Sequence, residues 1–285
     1  MTPAYIFVDS PKFKKDVELV KKTLGIVKSA KIFKNLTIIE RRENYGLAKN
    51  IESGVKNILK KHGKIIVLED DLIVGNNFLD YMNQGLVFFE NEKKIWHISG
   101  FGEKVEEQDE FKTYCFRQMN CWGWGTWSDR WKYFKNDPNI FITQFTDEMI
   151  KSFNIDGTQD YWDQMIANDK GDIKTWAVFW YATIFLKGGL CINPSFTHVI
   201  NEGFDGSGVN CSYSNIYDEL ELNNKGGFSA PKVLREDKKY LKEVKSIYSQ
   251  RASIEKKGLK YKIYRAMPLS VKKIIKKLVN YQRSI

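Results

Sequence analysis

The sequence predicts an α/β protein, and three observations carry that expectation. Short apolar runs alternate with helical patterns from residue 5 to residue 99. One of those runs, Lys64-Ile65-Ile66-Val67-Leu68, is bounded by Gly63 and by three consecutive acids, Glu69-Asp70-Asp71. A buried strand that ends in polar residues is the way open sheets present their ligand-facing edge. The composition is 42% hydrophobic and 28% charged, ordinary for a globular chain able to bury a sizeable core.

Residues 5–8 read as a buried strand. Ser10 and Pro11 look like an N-cap and a first helical residue, and Phe13, Val17, Val20 and Leu24 follow at helical spacing. Residues 36–40 give a second strand. Residues 47–61 give a helix with Leu47, Ile51, Val55, Ile58 and Leu59 on one face. Residues 64–68 form the third strand. A helix over 78–89 and a strand over 95–99 follow, and the alternation predicts a parallel sheet with helices on both faces. From 101 to 194 the chain is irregular and aromatic, holding seven of the eight tryptophans, so a large aromatic core is the default reading there. Helices are expected over 160–167 and 175–186. Residues 201–230, rich in Gly, Asn and Ser, read as loop. The tail beyond Pro231 reads as helices broken at Gly258. Two regions are therefore expected, a body over 1–230 and a basic helical tail over 231–285.

Charge and cysteines bound the function classes. The formal net charge is +10, but residues 231–285 alone carry 17 Lys/Arg against 4 Asp/Glu, which leaves the rest of the chain slightly acidic. The basic character belongs to the tail and gives the body no specific nucleic-acid role. In the tail, Val271, Ile274, Ile275, Leu278 and Val279 alternate at helical spacing with Lys272, Lys273, Lys276 and Lys277. That pattern fits an interfacial helix drawn to anionic lipid, with packing on the body or a nonspecific nucleic-acid contact as the alternatives. Neither a signal peptide nor a membrane span is evident. Cys115, Cys121, Cys191 and Cys211 lack CxxC spacing and are expected as thiols in a reducing, cytoplasmic setting.

The acidic triplet has a chemical reading. Adjacent carboxylates repel one another and lose hydration when half-buried, and a hard divalent cation removes both penalties. Mg²⁺ or Mn²⁺ keeps one or two protein carboxylates and takes its other ligands from phosphate and water. The plain alternative is a solvated acidic turn.

Five segments together resemble a known family. They are Ile6-Phe7-Val8-Asp9-Ser10-Pro11-Lys12, Arg42-Glu43-Asn44-Tyr45-Gly46-Leu47-Ala48-Lys49-Asn50, Ile66-Val67-Leu68-Glu69-Asp70-Asp71, Asn120-Cys121-Trp122-Gly123-Trp124-Gly125-Thr126-Trp127 and Gly203-Phe204-Asp205-Gly206-Ser207-Gly208. In order and spacing, over residues 5 to 211, they resemble the bacterial sugar transferases related to the GT-A glycosyltransferases. The Glu-Asp-Asp motif of that group is shared with eukaryotic N-acetylglucosaminyltransferase I.

The resemblance implies a GT-A fold and transfer of a sugar from a nucleotide-sugar donor to a glycan or lipid-linked acceptor. It implies Mn²⁺ or Mg²⁺ as cofactor, an inverting course, and a place in surface polysaccharide or lipopolysaccharide assembly, peripheral on the inner face of the cytoplasmic membrane. It implies that Asp9 contacts the base or ribose of the donor and that Asn44 and Asn50 lie near the nucleotide. Asp70 would approach the ribose beside Glu69, and Asp71 would be the direct metal ligand. Read from the residues alone, Asp9 and Asn44 are turn residues and Asn50 a solvated helix position.

An inverting enzyme needs a base for the acceptor hydroxyl, and Asp163 and Asp172 are the candidates. Each can equally be a surface or first-turn helix residue. Trp122, Trp124 and Trp127 surround two glycines, so this segment is either a sugar-stacking or lid loop or a core loop in which glycine makes room for indoles. Two departures stand out. The late loop carries Asn210, a weaker ligand through its carbonyl oxygen, where the family has a metal-binding histidine; His198 is nearby, but a lone histidine is more often structural than a ligand. The family's first strand and helix, about thirty residues by the size of a βαβ unit, also precede the point that matches the start of this chain. A form carrying them is expected to be more stable and more active. A nucleotidyltransferase and a decayed, non-catalytic transferase homologue are the alternative functions.

Overall fold

The first strand, β1 (Ala4–Val8), pairs in parallel with β2 (Leu36–Glu40) through the crossover helix α1 (Val17–Ser29). The computed structural model describes residues 2–30, 33–204, 217, 220–225 and 227–266, with 255–266 as backbone. The helix expected from Ser10-Pro11 starts later, as a 3₁₀ turn over Lys14–Asp16 that runs into α1. Ser10 is used elsewhere: its hydroxyl donates to the Arg41 carbonyl. The Asp16 carboxylate instead accepts the Phe13 N–H at 2.9 Å and closes the turn.

Helix α2 (Gly46–His62) ends on Gly63, whose φ of 74° is the left-handed conformation that a helix stop requires. It leads into β3 (Lys64–Val67). Along its length α2 also lies on β1, with Gly54 against the Phe7 ring and His62 Nε2 2.8 Å from the Tyr5 hydroxyl. Then come β4 (Leu72–Val74), α3 (Phe78–Phe88), β5 (Ile95–Ser99), β6 (Thr113–Phe116) and β7 (Trp124–Trp127). Four helices follow in α4 (Ser128–Trp131), α5 (Pro138–Ile142), α6 (Asp147–Phe153) and α7 (Tyr161–Asp169). The chain continues through α8 (Ala177–Leu186), β8 (Leu190–Pro194), β9 (Val199–Asn201) and α9 (Lys238–Ala266).

The main sheet has the order β3-β7-β5-β8-β6. Only β5 and β8 run parallel; β3–β7, β5–β7 and β6–β8 are antiparallel. This corrects the expected parallel sheet. The aromatic segment 113–127 folds back as two further strands, so local alternation before residue 99 misjudged the pairing. β3, expected in the sheet's interior, pairs among the described residues with β7 alone, and β1–β2 forms its own two-stranded sheet.

Helices do lie on both faces of the main sheet. α3 supplies Phe78, Tyr81, Met82 and Leu86 to one core, with Ile95, Ile98, Trp127 and Ile192. On the other face α2, α8 and α9 close over Trp96, Trp124, Trp131, Trp176 and Trp180. A bulge between Ile95 and His97 lets the neighbouring Trp96 and Ile98 serve opposite cores.

The tail's first part belongs to this core. Tyr240, Val244 and Tyr248 of α9 are buried, and ion pairs Arg117–Glu236, Lys245–Asp156 and Arg251–Glu103 fasten the helix to the body. α9 runs through Gly258 without the expected break. Among the described residues no helix is long and apolar enough to cross a membrane. The amphipathic pattern at 271–279 lies outside the described residues. Cys115, Cys121 and Cys191 form no disulfide among the described residues, and Cys211 lies outside them.

Two histidines are locked into the two cores as neutral rings. His97 faces the Asn120 carbonyl through Nε2 (3.0 Å) and accepts the Trp180 indole N–H at Nδ1 (3.4 Å), which assigns the proton to Nε2. His198 stacks on Tyr81 with centroids 4.3 Å apart. Burial pushes His97 down to about 3 and His198 down to about 4. The unfolded chain therefore takes up protons below pH ~6.5 that the folded chain refuses. The histidines' contribution is expected to be level above that pH and to fall from there toward pH 4, by up to about 1.4 kcal/mol per pH unit per histidine, while Glu69, raised to about 7, contributes the opposite slope between about 4.5 and 7. Urea midpoints at pH 7.5, 6.0 and 5.0 of the wild type and of His97→Gln check this: between pH 6.0 and 5.0 the wild type should lose stability relative to the variant, and a difference between the two that does not change with pH would contradict it.

Candidate active site

The acidic triplet sits where β3 leaves the main sheet. Leu68 and Glu69 continue past Val67, and Asp70 and Asp71 turn the chain into β4. β4 pairs antiparallel with β9, in a register that sets Leu72 opposite Asn201. The Glu202 N–H then donates to the Asp71 carbonyl at 2.9 Å. Asn201 accepts the Gly203 N–H on Oδ1 at 2.6 Å, and its side chain also hydrogen-bonds the Asp71 carboxylate. Gly203 packs directly on that carboxylate: a Cβ there would lie 2.6 Å from Asp71 Oδ2 and 3.0 Å from Asn201 Oδ1. Only glycine leaves the carboxylate where it is.

The triplet is electrostatically unbalanced. Burial, then Asp71 and Asp70, push the Glu69 carboxyl up to about 7. Burial also raises Asp71, against the opposing pull of its own backbone N–H and of Asn201, with Asp70 adding to the rise. Among the described residues no three His, Cys, Asp or Glu side chains converge as a complete metal cage. What is present is one half-buried, hydrogen-bonded carboxylate beside two more. That donor set suits Mg²⁺ or Mn²⁺ when phosphate and water complete the shell. His198 is fully buried against Tyr81 in the core, the structural role expected of a lone histidine. Asp205 and Asn210 lie outside the described residues.

Asp9, Asn44 and Asn50 gather at the start of α2. The Asp9 carboxylate accepts the N–H groups of Ser10 (2.9 Å), Tyr45 (2.8 Å) and Gly46 (2.8 Å) and the Asn44 amide (3.2 Å). Those four bonds fill a carboxylate's acceptor positions, so Asp9 caps α2 at its positive end. Asn44 also donates to the Ser10 carbonyl. Asn50 accepts Arg41 Nε at 2.8 Å, and the Arg41 guanidinium lies between the Phe7 and Tyr45 rings. The structure thus brings these three residues together and occupies Asp9 and Asn50 with internal partners.

Asp163 and Asp172 are both exposed, and among the described residues neither side chain has a hydrogen-bond or ion-pair partner. Asp163 lies in the first turn of α7, two residues after Tyr161 and so on a different face of the helix from that ring, whose hydroxyl accepts from Gln118 at 2.6 Å. Asp172 follows the other end of α7, where the chain turns back through Gly171 and the Asp172 N–H donates to the Ala167 carbonyl at 2.9 Å.

The aromatic segment divides. Trp124 and Trp127 are buried in β7, one in each core, which is the core-loop reading. Trp122, just before the strand, is half-buried and meets Phe101, Phe204 and Tyr217. Asn201 as the support of Asp71 was missed from sequence; an Asn two residues before a glycine, directly after the apolar pair Val199-Ile200, was its signal.

No family model and no curated protein matches this chain.

Proposed function

We propose that this chain is a metal-dependent glycosyltransferase of GT-A type, acting on a nucleotide-sugar donor and a glycan or lipid-linked acceptor. The observation that carries this reading is the Asp71 carboxylate, held by Asn201 and pressed by Gly203 at the exit of β3. Mn²⁺ or Mg²⁺, when bound, supplies positive charge for the departing diphosphate. Asp71 is the ligand fixed in position, Glu69 the neighbouring carboxylate, and Asp70 the exposed acid assigned to the donor's ribose. Asp163, exposed in the first turn of α7, and Asp172, exposed beyond its end, are the two candidate bases for the acceptor hydroxyl in an inverting transfer. The β1–α1–β2 parallel unit and the strand ending in carboxylates support a GT-A-like arrangement. Surface polysaccharide or lipopolysaccharide assembly at the inner face of the membrane is the setting that the family resemblance suggests.

The test is a panel of nucleotide sugars assayed for hydrolysis and for transfer, with Mn²⁺ and with chelator. Turnover of at least one donor that chelation removes is expected. No turnover of any donor, or turnover indifferent to chelation, would contradict the proposal.

A further inference from the structure

Trp122 differs from the other indoles of its segment. Trp124 has rings stacked on it, His97 at 5.5 Å and 13° and Trp176 at 5.1 Å and 26°. Trp122 meets its neighbours steeply: Phe101 at 76°, Phe204 at 63° and Tyr217 at 75°, with centroids 4.7, 5.6 and 4.9 Å away. Among the described residues no ring lies stacked on the faces of Trp122 or Phe204. Trp122, Phe204 and Tyr217 are all half-buried, so their rings line a partly open surface.

The backbone that presents Trp122 is fixed. Its N–H donates to Asn120 Oδ1 at 2.9 Å. The next residue, Gly123, has φ 57° and is wedged so that a Cβ would lie 2.7 Å from Val199 and 3.0 Å from Phe78. Phe204 directly follows Gly203, the residue pressed on the Asp71 carboxylate. The aromatic group therefore begins one residue from the glycine that packs on the candidate metal ligand. Tyr217 is held from α9, where the Arg251 guanidinium lies 4.7 Å over its ring. Arg251 is itself engaged by Glu103, at 2.8 Å to Oε1 and 2.7 Å to Oε2.

We infer that Trp122, Phe204 and Tyr217 form the acceptor subsite and receive a neutral pyranose across its C–H face. This rests on the transferase reading and deepens it. A pyranose offers an apolar C–H face and a polar rim, which suits a fixed aromatic surface beside a carboxylate-rich edge. The charge balance selects the class of sugar. Arg251, the cation described against these rings, is neutralised by Glu103, so it does not favour a uronic or sialic acid.

The experiment uses saturation-transfer NMR on the full chain. The probes are methyl β-galactoside, methyl β-glucoside and glucuronic acid, each alone and with Mn²⁺ and a nucleoside diphosphate. Saturation is expected on the ring C–H protons of at least one neutral glycoside and not on glucuronic acid. Trp122→Ala should weaken that binding about tenfold, and Trp122→Phe should largely restore it. Thermal-shift binding of the nucleoside diphosphate with Mn²⁺ should be unaltered by either change. No saturation of either neutral glycoside by the wild type, glucuronic acid bound as well as the neutral sugars, or equal sugar binding by a folded Trp122→Ala would overturn the inference. If Trp122→Ala fails to fold, Trp122→Leu, which keeps apolar volume without a ring face, must show the same tenfold loss. Loss of nucleoside diphosphate binding in the wild type would instead strike the transferase reading itself, so the two failures are separable.

Discussion

Asp71→Ala is expected to reduce metal-dependent turnover and nucleotide binding by at least about 100-fold while leaving the protein folded. Loss of a mere supporting partner of a metal ligand costs on the order of 10- to 100-fold, and Asp71 is assigned as the ligand. Stability should hold or rise slightly, because burial and the neighbouring Asp70 already disfavour the charged Asp71 carboxylate in the folded chain. Gly203→Ala is the companion change. Its new methyl would meet Asp71 Oδ2 at 2.6 Å, so the carboxylate must move and binding should fall although no ligand atom is removed. Thermal shift with Mn²⁺ and nucleoside diphosphate, beside unliganded melting of each variant, reads both quantities. A Gly203→Ala variant that binds like wild type would show that the position of Asp71 is immaterial.

Trp124→Ala is expected to have the largest effect on stability. Its indole is fully buried among His97, Trp131 and Trp176, and removing a large buried aromatic costs about 3–5 kcal/mol. For a chain of this length that is a fall in melting temperature on the order of 10 °C. The indole N–H has no hydrogen-bond partner among the described residues, so Trp124→Phe, which removes that unsatisfied donor and keeps much of the ring, should cost clearly less. In the folded fraction, nucleotide affinity should match wild type. A Trp124→Ala protein with unchanged melting and weakened nucleotide or sugar binding would place this indole in the site instead of the core. The contrast with Trp122, two residues earlier, is the contrast between a side chain covered on its faces and one on whose faces no ring is stacked among the described residues.

What the sequence displayed was local. The strands near 5–8, 36–40 and 95–99 and the helices near 47–61 and 78–89 announce themselves through apolar spacing that each segment carries by itself. The antiparallel return of β6 and β7 could not be seen that way. Trp124-Gly125-Thr126-Trp127 has no apolar–polar alternation, because one tryptophan serves each core and Gly125 exists to admit Ile65, Met82 and Leu86. β4 and β9, three residues each, are too short to show any period. Gly258 looked like a break because glycine is costly in a helix, yet α9 passes through it.

The site divides along the same line. Glu69-Asp70-Asp71 was visible from its place after a buried run. The support from Asn201 and Gly203, some 130 residues away, depends on the β4–β9 register and belongs to no local pattern. Asp9 shows the reverse: the sequence displays the residue, while only the fold shows that its carboxylate is filled by the entrance of α2.

The most direct measurement of the central claim is an anomalous difference map at the manganese edge, from crystals grown with Mn²⁺ and a nucleoside diphosphate. The account predicts a peak within coordination distance, about 2 Å, of an Asp71 carboxylate oxygen. A map with no peak there, and with the Asp71 side chain turned into bulk solvent, would contradict it.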